Sequence, residues 1–69
     1  MEYAVVFEKS TNGFGAYVPD LPGCVAVGDT LDETQRLIAE AIAFHIEGLQ
    51  IEGMSVPEPS AKCEYVPVK

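Results

Sequence analysis

The chain has 69 residues, 48% of them apolar, and eleven acidic residues stand against four lysines and arginines for a formal charge of −7. That length confines it to one domain, with about one sheet and one helix, and the apolar content excludes a disordered chain. The acidic balance argues against direct nucleic-acid binding by this chain alone, since a phosphate backbone is repelled, and no apolar run nears the roughly 18 residues that span a bilayer.

Residues 3–8, Tyr-Ala-Val-Val-Phe-Glu, are β-branched and aromatic and predict a first strand with Tyr3, Val5 and Phe7 on one face. Asn12-Gly13 signals a hairpin through tolerance of positive φ, so residues 14–18 return antiparallel, with Phe14, Ala16 and Val18 sharing a face. Gly13 and Gly15 leave the other face nearly bare, which implies a close approach there. In the loop that follows, Pro22-Gly23 fits a type II turn with positive φ at the glycine, and Asp20 is most simply a hydrogen-bond acceptor for loop amides. Residues 24–27 form a short third strand, bounded by Gly28-Asp29.

Thr30-Leu31-Asp32-Glu33 matches a capping box, in which the Thr30 hydroxyl accepts from the Glu33 N–H and the Glu33 carboxylate reaches back to the Thr30 N–H. Leu31, Thr34, Ile38, Ala41, Ile42, His45 and Leu49 then recur at spacings of three and four, the mark of one buried helical stripe. Leu37, Phe44 and Ile46 widen it beyond what one sheet face requires, so part of the arc is expected at a subunit contact. His45 is expected as a buried, neutral, hydrogen-bonded imidazole. The helix ends near Glu52-Gly53. Val56-Pro57-Glu58-Pro59-Ser60 follows as an extended connector, and residues 61–66 are expected to form a last strand. The fold class is α+β, in the order β-β-β-α-β, a small antiparallel sheet with one long helix on one face and a single domain over residues 1–69.

Cys24 and Cys63 are read as free, packing thiols, and with His45 as the sole imidazole a metal site would need ligands from a second chain. No cofactor or metal is expected. Asp32 and Glu33 have structural work at the helix start and no nucleophile stands beside a base, so no catalytic residues are expected and the chain is not read as an enzyme. Glu2 stands where a secretory signal would be basic, which points to the cytoplasm. Chains this small bury only about 60% of their unfolded surface, and self-association into a dimer or tetramer is expected to supply what the core lacks. The negative field favours a basic protein partner.

With these residues in view the chain resembles the HicB-like antitoxin family in its short form. The resemblance lies in the first strand, Asn12-Gly13-Phe14, the Pro19-Asp20-Leu21-Pro22-Gly23-Cys24 segment, Gly28-Asp29-Thr30 before an acidic helix start, residues 40–49 (EAIAFHIEGL) and the Pro57-Glu58-Pro59-Ser60 tail. It implies a partial ribonuclease H-like fold and a basic, HicA-like, messenger-RNA-cleaving toxin as partner, neutralised when its catalytic surface is covered. Asp20, Leu21, Asp29 and Asp32 are the expected contacts, as solvent-facing acids and an exposed loop. Full-length relatives usually add a C-terminal DNA-binding domain. None is expected here, where the chain stops at Lys69 after the last expected strand, and operon repression is not expected either. The carboxylate cluster of ribonuclease H is not recognisable on the first strand. The alternative reading is an orphan oligomeric scaffold or binding domain of the same family without a toxin.

Overall fold

A computed structural model describes residues 1–68, leaving Lys69, one of the four cations counted above, outside the described residues. Three strands, β1 (Val6–Ser10), β2 (Gly13–Tyr17) and β3 (Val25–Gly28), pair antiparallel in the order β1-β2-β3, and a helix, α1 (Leu31–Ile51), follows. Side chains alternate across a sheet, so the register sorts them into two faces. Phe7 lies opposite Ala16 and Ala16 opposite Ala26, which makes one row on the helix side. Val6, Tyr17 and Val25 make a row on the other side, as do Glu8, Gly15 and Val27. The small side chains of Ala16 and Ala26 let the helix settle close to the sheet. Ala16, Val18, Leu21, Cys24 and Ile38 are buried at the centre, with Tyr3, Val5, Phe7, Ala41, Ile42 and Ile46 packed around them.

The hairpin turn differs from expectation. Ser10 pairs with Gly13, so Thr11 and Asn12 form the two-residue loop, and neither has positive φ. Gly13 belongs to the ladder instead, because a Cβ there would overlap the Gly28 carbonyl oxygen and come within 3.2 Å of the Asp29 Cα. The close approach inferred at this glycine is therefore real, and its source is the backbone at the end of β3. At Gly15 a Cβ would make only ordinary contact.

Thr30 caps α1 from extended backbone (φ −126°, ψ 162°), its Oγ1 accepting from the Glu33 N–H at 3.1 Å. The Glu33 carboxylate accepts from the N–H of Asp29 at 2.7 Å, one residue earlier than a capping box predicts. Thr34 is fully buried, and its hydroxyl donates to the Thr30 carbonyl at 2.7 Å. At the far end Glu52 is the C-cap and Gly53 (φ 72°) takes the left-handed position. The Gly53 N–H donates to Gln50 and the Met54 N–H to Leu49, the paired bonds of a Schellman motif.

The last strand expected at residues 61–66 is not formed. The amide of Ala61, its first residue, is already bonded to Asp20, as is that of Ser60 just before it. Residues 62–65 instead run beside residues 5–7 across a shallow groove, without ladder pairing.

Candidate functional site

The segment 18–24 folds as two consecutive turns. The Leu21 N–H donates to the Val18 carbonyl at 3.0 Å, the Cys24 N–H to the Leu21 carbonyl at 3.0 Å, and the Val18 N–H to the Cys24 carbonyl at 3.2 Å across the mouth. Pro19 and Pro22 hold the second position of each turn, and Gly23 (φ 86°) meets the type II requirement. This geometry points Val18, Leu21 and Cys24 inward, each no more than 3% exposed, and leaves the prolines outside. Leu21, expected as a surface contact in an exposed loop, is a core residue with 0% exposure. The reason is its place as the hinge shared by both turns, with its carbonyl and N–H bonded to the loop itself.

Asp20 sits on the outer side of this loop and binds the tail. Its Oδ2 accepts from the N–H groups of Ser60 (2.9 Å) and Ala61 (3.0 Å), and its Oδ1 from the Ser60 hydroxyl (2.9 Å). These hydrogen bonds, that from Ala61 first, hold its carboxyl below the usual aspartate value of 3.8. The Tyr3 hydroxyl donates to the Pro57 carbonyl, a second mooring for the same segment. Asp20 was read as an acceptor for amides of its own loop; its partners lie 40 residues away, and nothing in the spacing announces them.

Asp29 and Asp32 are exposed and lie together at the start of α1, near the half-buried Glu33. Asp20 lies beyond the opposite end of β3, a separation of about 3.3 Å per strand residue. The structure therefore brings Asp29 and Asp32 together and keeps Asp20 apart. Among the described residues no group of three or more His, Cys, Asp and Glu is placed to hold a metal, and no helix is long and apolar enough to cross a membrane.

A groove of about 400 Å³ runs between β3 and α1, lined by residues that include Cys24, Val25, Ala41, Phe44, His45 and Gly48. His45 is half-buried on its wall and not enclosed in the core as expected. Phe44 is 80% exposed, so the apolar arc does extend past the sheet. Cys24 is buried and burial raises its thiol pKa, whereas Cys63 is a free, exposed thiol on the tail and not a packing residue.

Residues 3–67 match the family described as the HicB_like antitoxin of bacterial toxin-antitoxin systems. The chain belongs to the HicB-like antitoxin family. Antitoxin HicB 2 of Photorhabdus laumondii is 30% identical over 64 residues, 93% of this chain and 46% of that protein. An uncharacterised 14.9 kDa protein of Haemophilus phage HP1 is 39% identical over 66 residues, 96% of this chain. This HicB-like chain spans 50% of the phage protein's length. A chain of the solved HicA3 and HicB3 toxin–antitoxin complex superposes with a TM-score of 0.75 at 37% identity, covering 87% of this chain and 70% of its own length. The α+β arrangement of three antiparallel strands and one long helix is thus the arrangement of a HicB antitoxin.

Proposed function

We propose that this HicB-like chain is a non-enzymatic antitoxin that binds and neutralises a basic, HicA-like, messenger-RNA-cleaving toxin by covering the toxin's catalytic surface. The observation that carries the reading is the likeness, at 37% identity, to a chain of a HicA3 and HicB3 complex. The charge of −7 supports it, because opposite charge speeds encounter and fixes register. Asp29 and Asp32 offer exposed carboxylates to the toxin, while Asp20 and Leu21 serve by holding the loop and the tail in place. The protein acts as a homo-oligomer, a dimer or a tetramer.

Coexpression with the product of its neighbouring gene, expected to be a small basic protein, tests this. The two should co-purify at low salt and separate more readily at high salt, and toxin freed of its partner should cleave messenger RNA until the antitoxin is returned. Asp29→Asn with Asp32→Asn should slow association and flatten its salt dependence while leaving the fold intact, as rim charges act mainly on encounter. Absence of any complex, with growth unaffected by the neighbouring protein alone, would sink the reading. It would favour the orphan oligomer, which the uncovered apolar groove beside β3 also suits.

A further inference from the structure

The two edges of the sheet differ. Along β1 the edge carries Glu8 and Lys9, and residues 62–65 run beside residues 5–7. Charges and covering segments are the usual means by which proteins keep an edge from pairing with another chain. Among the described residues the edge of β3 has none of these: Val25-Ala26-Val27-Gly28 contains no charge, no proline and no bulge, and Val25 and Val27 are 61% and 76% exposed. Its hydrogen-bonding groups can be placed. The bond from Val18 N–H to Cys24 O makes Val18 and Cys24 a hydrogen-bonded pair, and antiparallel ladders alternate such pairs with non-bonded ones. Cys24, Ala26 and Gly28 therefore turn their backbone groups toward β2, and Val25 and Val27 turn theirs outward.

We infer that a second copy of this chain pairs with that edge, β3 against β3, about a two-fold axis at Ala26. This deepens the self-association named above and is independent of the toxin. The axis sets Val25 of one protomer opposite Val27 of the other. Those two residues carry the outward N–H and carbonyl groups, so each pair exchanges both of its bonds and the three-stranded sheets join into one of six. On the outer face valine meets valine, a favourable cross-strand pair. On the inner face the facing residues are small, Ala26 against Ala26 and Cys24 against Gly28, which leaves room for the two helices.

The groove between β3 and α1 lies along the same edge and completes the contact. Phe44, 80% exposed, stands at the groove's rim, and a Cβ built on Gly48 meets nothing within 4 Å, so the groove floor is open. Under the two-fold each Phe44 enters the groove of the other protomer. This reciprocity is that of an isologous interface. A four-residue edge is small beside the roughly 800 Å² that each partner of a stable complex buries, and the aromatic in the groove supplies the added area.

Charge selects the occupant. No residue from Leu21 to Gly28 is charged, and among the described residues Glu52 is the only acid lining the groove. Two chains of charge −7 repel over most of their surface and can meet where neither is charged. A basic toxin gains little from an uncharged groove and is drawn to the acids elsewhere.

The test is sedimentation equilibrium of the full chain, free of toxin, against Val27→Lys and Phe44→Ser, both at exposed positions where the monomer fold tolerates them. Thermal unfolding confirms that each variant folds. The wild type should be dimeric or a higher even-numbered assembly, and each variant should weaken the dimer about tenfold or more, as loss of an anchor residue does. A monomeric wild type, or variants that associate as tightly as it does, would overturn the proposal. So would variants that still self-associate but no longer capture the basic partner, since the groove would then be the toxin's. A dimer lost in both variants with toxin capture retained supports this interface, and a dimer lost with no toxin ever captured supports it while the antitoxin reading fails.

Discussion

At the scale of single residues, Asp20 couples the charge state of one carboxyl to the position of the tail. Its folded pKa lies below the ordinary value of 3.8, so the stabilisation it gives is complete above that value and is lost as pH falls through the lowered one. In an acid titration followed by NMR, the Ser60 and Ala61 amide signals should hold steady above the ordinary value and move together below it. In Asp20→Asn they should stand near their exposed-chain positions at every pH. Gly28 is constrained differently: an added Cβ would lie 2.6 Å from the Thr34 Oγ1 and 2.9 Å from a Glu33 carboxylate oxygen. Gly28→Ala should therefore cost about 1–3 kcal/mol of unfolding free energy, measured in urea, as forced overpacking does.

At the scale of elements, the helix was the most legible part of the chain because its signals are local. Thr30 caps it, Gly53 ends it, and both positions follow from neighbouring residues. Thr30→Ala should lower stability by about 1 kcal/mol through the lost cap, and Gly53→Ala by about 1–2 kcal/mol through the left-handed backbone, both read from the denaturation midpoint. The three strands of the sheet were legible in order, with boundaries shifted by one to three residues, but the fourth expected strand did not form. The type II turn at Gly23 was legible too, since proline and glycine fix it without help from the rest of the chain. What the sequence hid was non-local. Residues 61–66 alternate well enough for a strand, but the amide of its first residue, Ala61, is claimed by Asp20. Leu21 looks like a loop residue until the two turns around it are seen to face inward. Of the candidate site, the exposure of Asp29 and Asp32 at the helix start was legible, and the groove was foreshadowed only by an apolar arc too wide for one sheet.

At the scale of the whole molecule, one face of the sheet carries the helix while the other presents Tyr17, Val25 and Val27 to solvent beside the half-buried Val6. A chain of 69 residues has little core to spare, and the self-association proposed above would supply burial that the monomer lacks. The protein's stability should accordingly rise with its own concentration. A thermal melt repeated over a wide concentration range should show the midpoint beginning to climb for the wild type at a concentration about tenfold or more below that at which it climbs for Phe44→Ser. The exposed Arg36–Glu40 pair at 3.7 Å adds little to this balance, as exposed ion pairs do.

In the proposed dimer the moored tail would also decide how far assembly proceeds. A protomer with one open edge behaves like a monofunctional reagent: once two have joined, neither end remains to react, and growth through the sheet terminates at the pair. Freeing residues 57–65 from Tyr3 and Asp20 would expose the β1 edge and make every protomer bifunctional, the condition for stepwise polymerisation into a ribbon. The few hydrogen bonds that fasten the tail therefore act as a chain stopper, and Asp20→Asn at high concentration is where open-ended growth should first be seen by light scattering.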